Sequence, residues 1–103
     1  MADIETVRRE FVQRLLNGDG RASRPLRAAA FRDERSALPE SLRVLAEKIV
    51  TRPSKVCDED IAAARSAGLA EDQLFELVVC VAVGEATREY EAGLAALDAA
   101  GKG

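Results

Sequence analysis

Apolar residues recur along this chain at helical spacing. Ile4, Val7, Phe11 and Leu15 form one stripe, widened by Val12 and Leu16, while Arg8, Arg9, Glu10 and Arg14 take the other side. Asp3 is placed to cap the start of this helix, Glu5 suits the positive end of its dipole, and Gly18 supplies a stop. Asn17-Gly18-Asp19-Gly20 is the strongest loop signal in the chain, so residues 1–20 read as a helical arm.

Pro25 suits the first turn of a second, shorter helix running to about Arg35, because proline has no N–H to satisfy there. Leu38-Pro39-Glu40 opens a third. Within it Leu42, Leu45, Ala46, Ile49 and Val50 make the cleanest amphipathic pattern in the protein. Arg52-Pro53-Ser54-Lys55 breaks that helix, since residues before proline avoid helical dihedrals. Asp58 is expected to cap a short helix from Glu59 to about Ala67, closed by Gly68 as a left-handed cap.

The last helix begins near Glu71, and from Leu74 to Val83 it is almost wholly apolar. The β-branched content there would also allow a buried strand. The acidic first turn Glu71-Asp72-Gln73 and the lack of a following turn signal favour helix. Ala86, Tyr90, Leu94 and Leu97 carry the pattern onward, and Gly84 is expected to weaken or bend it. A helix apolar all round must be enclosed by others on every side. The predicted fold is therefore all-α: a small bundle of about five helices around a long, central, apolar C-terminal helix. No internal repeat or linker divides it, so residues 1–103 read as a single domain.

Composition adds a limit on the core. Much of the apolar content is alanine, the aromatic residues are Phe11, Phe31, Phe75 and Tyr90, and there is no tryptophan. Large buried side chains bring roughly 1.5–3 kcal/mol each and alanine far less. A subunit built this way completes its core with further copies, so a homo-oligomer is expected. The net charge of -3 is spread among charges of both signs, which argues against nucleic acid as a partner. The densest basic stretch, Arg21 to Arg35, also carries Asp33 and Glu34 and reads as a solvated face. No apolar run approaches the ~20 residues that span a bilayer, so no membrane is expected either. Charge at Asp3 and Glu5, where a secretory signal needs apolar residues, points to the cytoplasm.

The chain has no histidine and two cysteines, Cys57 and Cys80. That excludes Ser-His-Asp and Cys-His nucleophile systems and histidine proton shuttles. Two thiols cannot make a four-thiolate zinc site, so neither metal nor cofactor is expected.

The helix order, with a break before Ser66-Ala67-Gly68-Leu69 and then Ala70-Glu71-Asp72-Gln73-Leu74-Phe75-Glu76-Leu77, resembles the alkylhydroperoxidase D-like superfamily, which includes the carboxymuconolactone decarboxylase-like proteins. The resemblance covers roughly residues 38–98. It implies an all-α fold and assembly into trimers or hexamers. In the redox branch of that superfamily a C-x-x-C-x-x-x-H motif opens the helix before the Ala-Gly junction, and a thiolate there attacks peroxide. Counted back from Gly68, the histidine position holds Asp60, and the two cysteine positions hold Val56 and Pro53. Cys57 stands one residue from the second, an offset that turns a helical side chain by about 100°. The resemblance thus implies fold and assembly without the dithiol chemistry.

Three residues are candidates for other chemistry. Cys57, at a helix start, is a candidate lone peroxidatic thiol, although Asp58, Glu59 and Asp60 around it oppose thiolate formation. Glu47 and Glu85 are candidate acid–base carboxylates, with Arg88 beside Glu85 and Glu89. Cys80 reads as a small buried hydrophobe, and Arg65 and Glu76 as a pair across adjacent helices. The leading expectation is a non-redox oligomeric helical subunit with a binding or structural role. An enzyme on the same fold, peroxidase-like through Cys57 or decarboxylase-like through Glu47 and Glu85, is the alternative.

Overall fold

A computed structural model describes residues 3–101; Met1, Ala2, Lys102 and Gly103, part of the expected single domain, lie outside the described residues. Five helices follow in order: α1 (Ile4–Asn17), α2 (Arg24–Arg32), α3 (Glu40–Thr51), α4 (Asp58–Ser66) and α5 (Glu71–Gly101). Single 3-10 turns at Arg35–Ala37 and Pro53–Lys55 join α2 to α3 and α3 to α4. The described residues contain no strand, so Leu74–Val83 is helical. Among them no helix is long and apolar enough to cross a membrane.

Local chemistry sets the boundaries. The Asp3 carboxylate accepts from the Thr6 N–H at 2.7 Å and closes the first turn of α1. Ser23 caps α2, its hydroxyl accepting from the Leu26 N–H at 3.3 Å, with Pro25 in the first turn. This helix stops earlier than the sequence pattern predicts, at Arg32, because Asp33 turns left-handed (φ 58°) and its N–H closes onto Ala29 and Ala30. Helix α4 starts one residue earlier than expected, with Cys57 as N-cap in place of Asp58. Gly68 follows it at φ 103°, a conformation that costs glycine no steric strain.

Helix α5 packs most extensively on α2, then on α3 and α4. Leu74, Leu77, Cys80, Val81 and Gly84 form its buried side. They meet Ala29 and Ala30 of α2, Leu42, Leu45 and Ala46 of α3, and Ala64 of α4 in one alanine-rich core. Helix α5 is central in that sense, yet it is not enclosed. Its buried residues all lie to one side, Phe75 is 69% exposed, and residues 91–101 are exposed. Gly84 does not interrupt the helix.

Helix α1 departs furthest from expectation. Its stripe of Ile4, Val7 and Phe11 faces outward, and Ile4 is 77% exposed. Leu15 packs against the core from α1, and Arg27 of α2, only 4% exposed, donates from Nη1 to the Leu15 carbonyl at 2.9 Å. Farther up α1, the Arg8 guanidinium lies over the Tyr90 ring, 5.2 Å from its centroid, and 3.8 Å from the Glu91 carboxylate.

Candidate functional site

The start of α4 gathers the residues that sequence reasoning singled out for thiol chemistry. Cys57 is exposed, and its backbone N–H donates to Asp60 Oδ2 at 3.0 Å, the reciprocal half of a capping arrangement. The Cys57 thiol donates to the same oxygen at 3.2 Å. From α3, the Lys48 ammonium reaches Asp60 Oδ1 at 2.9 Å and Oδ2 at 3.1 Å. Asp60 therefore holds the N-cap and ties α3 to α4 with one carboxylate.

Electrostatics at this point favour a thiol over a thiolate. The Glu59 and Asp60 carboxylates, as acceptors of the thiol proton, hold the Cys57 pKa above its ordinary value. Asp60 is pushed down to about 2, first by the Lys48 hydrogen bond and then by the Cys57 N–H and thiol. Lys48 is raised by the same contact. The nearby ammonium thus neutralises a carboxylate in place of activating sulfur. Cys80 lies buried on the core side of α5, and burial pushes its thiol up to about 11. The two cysteines are unpaired.

Glu47 and Glu85 lie elsewhere. Glu47 is exposed on α3, and Glu85 is partly buried on α5, 3.1 Å from Arg88 Nη2. Arg88 also donates from Nη1 to the Phe31 carbonyl at 2.6 Å, capping the C-terminal end of α2. Both carboxylates act on Arg35, whose pKa is raised first by its hydrogen bond to Asp33 at 2.8 Å and more weakly by the fields of Glu47 and Glu85. No hydrogen bond or ion pair among the described residues links Cys57 to Glu47 or Glu85. The candidates form two separate clusters. Among the described residues no group of three or more histidine, cysteine, aspartate or glutamate side chains is arranged to hold a metal ion.

Two further features have a weaker sequence signal. Glu76 does not pair with Arg65. Its carboxylate accepts from the backbone N–H of Arg21 at 2.8 and 2.9 Å and of Ala22 at 2.7 Å, which lowers its pKa and fastens the glycine-rich loop to α5. Gln73 supports it by donating to the Arg21 carbonyl at 3.2 Å. A loop N–H has no side-chain signature, so only tertiary placement shows this latch.

The second feature is the outward side of α5. Phe75, Val79, Ala82, Ala86, Tyr90, Gly93 and Leu97 follow one another at intervals of three and four residues, opposite Leu77 and Gly84. Leu97 is 72% exposed, and Tyr90, Gly93, Leu94, Ala96 and Leu97 line a shallow apolar hollow. The periodicity was legible in the sequence, but which side faced water was not. No protein-family model, curated protein or solved structure matches the chain.

Proposed function

We propose that this chain is a non-redox, alkylhydroperoxidase D-like helical subunit that works as a homo-oligomer in a binding or structural role. The observation that carries this reading is the surface left open by one copy. The chain exposes 6827 Å², whereas a compact monomer of 11.1 kDa exposes about 5,650 Å². Its radius of gyration is 15.4 Å and its extents are 51 × 29 × 22 Å, against about 13 Å for a compact domain of this length. Most of the large apolar side chains left exposed lie on α5 and on α1. Contiguous apolar surface of this kind marks contact with other macromolecules. The family resemblance suggests trimers or hexamers as the assembled form, and the two free thiols suit the reducing cytoplasm.

The non-redox part is supported by the start of α4. Asp60 stands where the family resemblance places a histidine, and it is committed to Lys48 and to the N-cap. Cys57 donates to a carboxylate, a setting that disfavours nucleophilic sulfur.

Light scattering on the purified chain at tens of micromolar tests assembly, with a mass several times 11.1 kDa expected. A strict monomer would overturn it. Peroxide consumption, measured with and without Cys57→Ser, tests the chemistry. No difference is expected, and thiol-dependent turnover would replace this reading with the peroxidase-like one.

A further inference from the structure

We infer that the outward side of α5 packs against α5 of a second copy, antiparallel, about a two-fold axis that passes level with Gly84. This rests on the assembly reading above and adds the partner surface, orientation and register.

The register follows from where small and large residues fall. Phe75 and Gly93 are 18 residues apart, five turns of a helix with 3.6 residues per turn, so they point the same way. Ala82 and Ala86 lie on that face and straddle the midpoint between them, which is Gly84. An antiparallel two-fold at that level sets Ala82 against the partner's Ala86, where two methyl groups allow the helices to approach closely. It also sets each Phe75 against the partner's Gly93. Phe75 is a large exposed knob and Gly93 a position with no side chain. Val79 comes beside the partner's Tyr90 on one flank of the contact, and the exposed Glu89 lies on the other flank.

A parallel pairing fits worse. It would set Phe75 on Phe75 and leave facing gaps at Gly93. It would also align the macrodipoles of two helices of 31 residues side by side, which antiparallel packing opposes. The area agrees with a second copy as occupant. The chain exposes about 1,200 Å² more than a compact monomer, while a standard interface takes about 800 Å² from each partner. The contact is isologous, so it closes without leaving a sticky end.

Two variants and one distance test this. Gly93→Leu is benign in a lone copy, since nothing lies within 4 Å of a Cβ added there and leucine favours helix. It fills the seat of Phe75, so association is expected to weaken at least tenfold with helicity and Tm of the dissociated chain undiminished. Phe75→Glu is expected to do the same by removing the knob. A spin label at Ala99→Cys in a Cys57→Ser background reports orientation. The two labels should lie about 45 Å or more apart in the antiparallel register, from the 1.5 Å rise per residue, and about half that or less if the helices are parallel.

A wild-type chain that is oligomeric and unaffected by both Gly93→Leu and Phe75→Glu would remove this face while leaving assembly intact. A strict trimer, or a short label distance, would remove the two-fold register. A monomeric wild-type chain would remove the assembly reading itself.

Discussion

Gly84 of α5 lies directly against the Phe31 carbonyl at the end of α2. A Cβ built on Gly84 would overlap the carbonyl oxygen and come within 2.7 Å of the carbonyl carbon. The same carbonyl accepts the Arg88 guanidinium at 2.6 Å, one turn farther along α5. The absent side chain lets two helix backbones meet, and the arginine then satisfies an acceptor that α2 leaves open at its C-terminus. A residue that weakens an isolated helix is here the condition for the α2–α5 contact.

Gly84→Ala is accordingly expected to destabilise the protein, although alanine is favoured over glycine by about 1 kcal/mol within a helix. The obstacle is backbone, which cannot turn aside as a side chain would. Overpacking of this kind costs about 1–3 kcal/mol, read as a lower Tm and an earlier urea midpoint. An unchanged or higher Tm would show that the two helices do not approach this closely.

Glu76→Ala should loosen the loop between α1 and α2. Removing the carboxylate strips the buried Ala22 of its N–H acceptor, and a buried donor left unsatisfied costs about 1–3 kcal/mol. A rise in amide exchange at Arg21 and Ala22 that α2 itself does not share is the expected signature. Uniform exchange across the chain would count against the latch.

Asp60 makes stability depend on pH in a defined window. Its carboxyl titrates near 2 in the folded chain, below the ordinary 3.8, so the unfolded chain takes up the proton first. The contribution is therefore fully present above about pH 4 and is lost as the pH falls through about 2. Asp60→Asn should lower stability at neutral pH and flatten its decline over that window. A variant that kept the wild-type acid profile would place the pH dependence elsewhere.

The Cys57 thiol should alkylate slowly for an exposed cysteine at pH 7.5, because Glu59 and then Asp60 hold it protonated. Replacing both acids by Gln and Asn is expected to raise the iodoacetamide rate several-fold, with Cys80 protected throughout by burial. Equal rates before and after the replacement would mean that these carboxylates do not control the sulfur.

Much of this architecture was legible in the order of residues. Asp3 and Gly18 bound α1, and Leu42, Leu45 and Ala46 sit in the core as their spacing indicates. Glu71 opens α5, and the surplus of acids beside Cys57 is already visible in the chain. These are local matters: caps, periodicity and neighbouring charge act within one or two turns, and one turn of sequence contains them.

What lay beyond sequence reasoning was which of two apolar faces meets the core. Phe75 and Leu77 are equally apolar in the chain, and only the arrival of α2, α3 and α4 on one side separates the exposed from the buried. The outward stripe of α1, the Glu76 latch and the reason for Gly84 belong to the same class. Each depends on a partner distant in sequence, so periodicity can say that a face is apolar but tertiary packing alone decides what covers it.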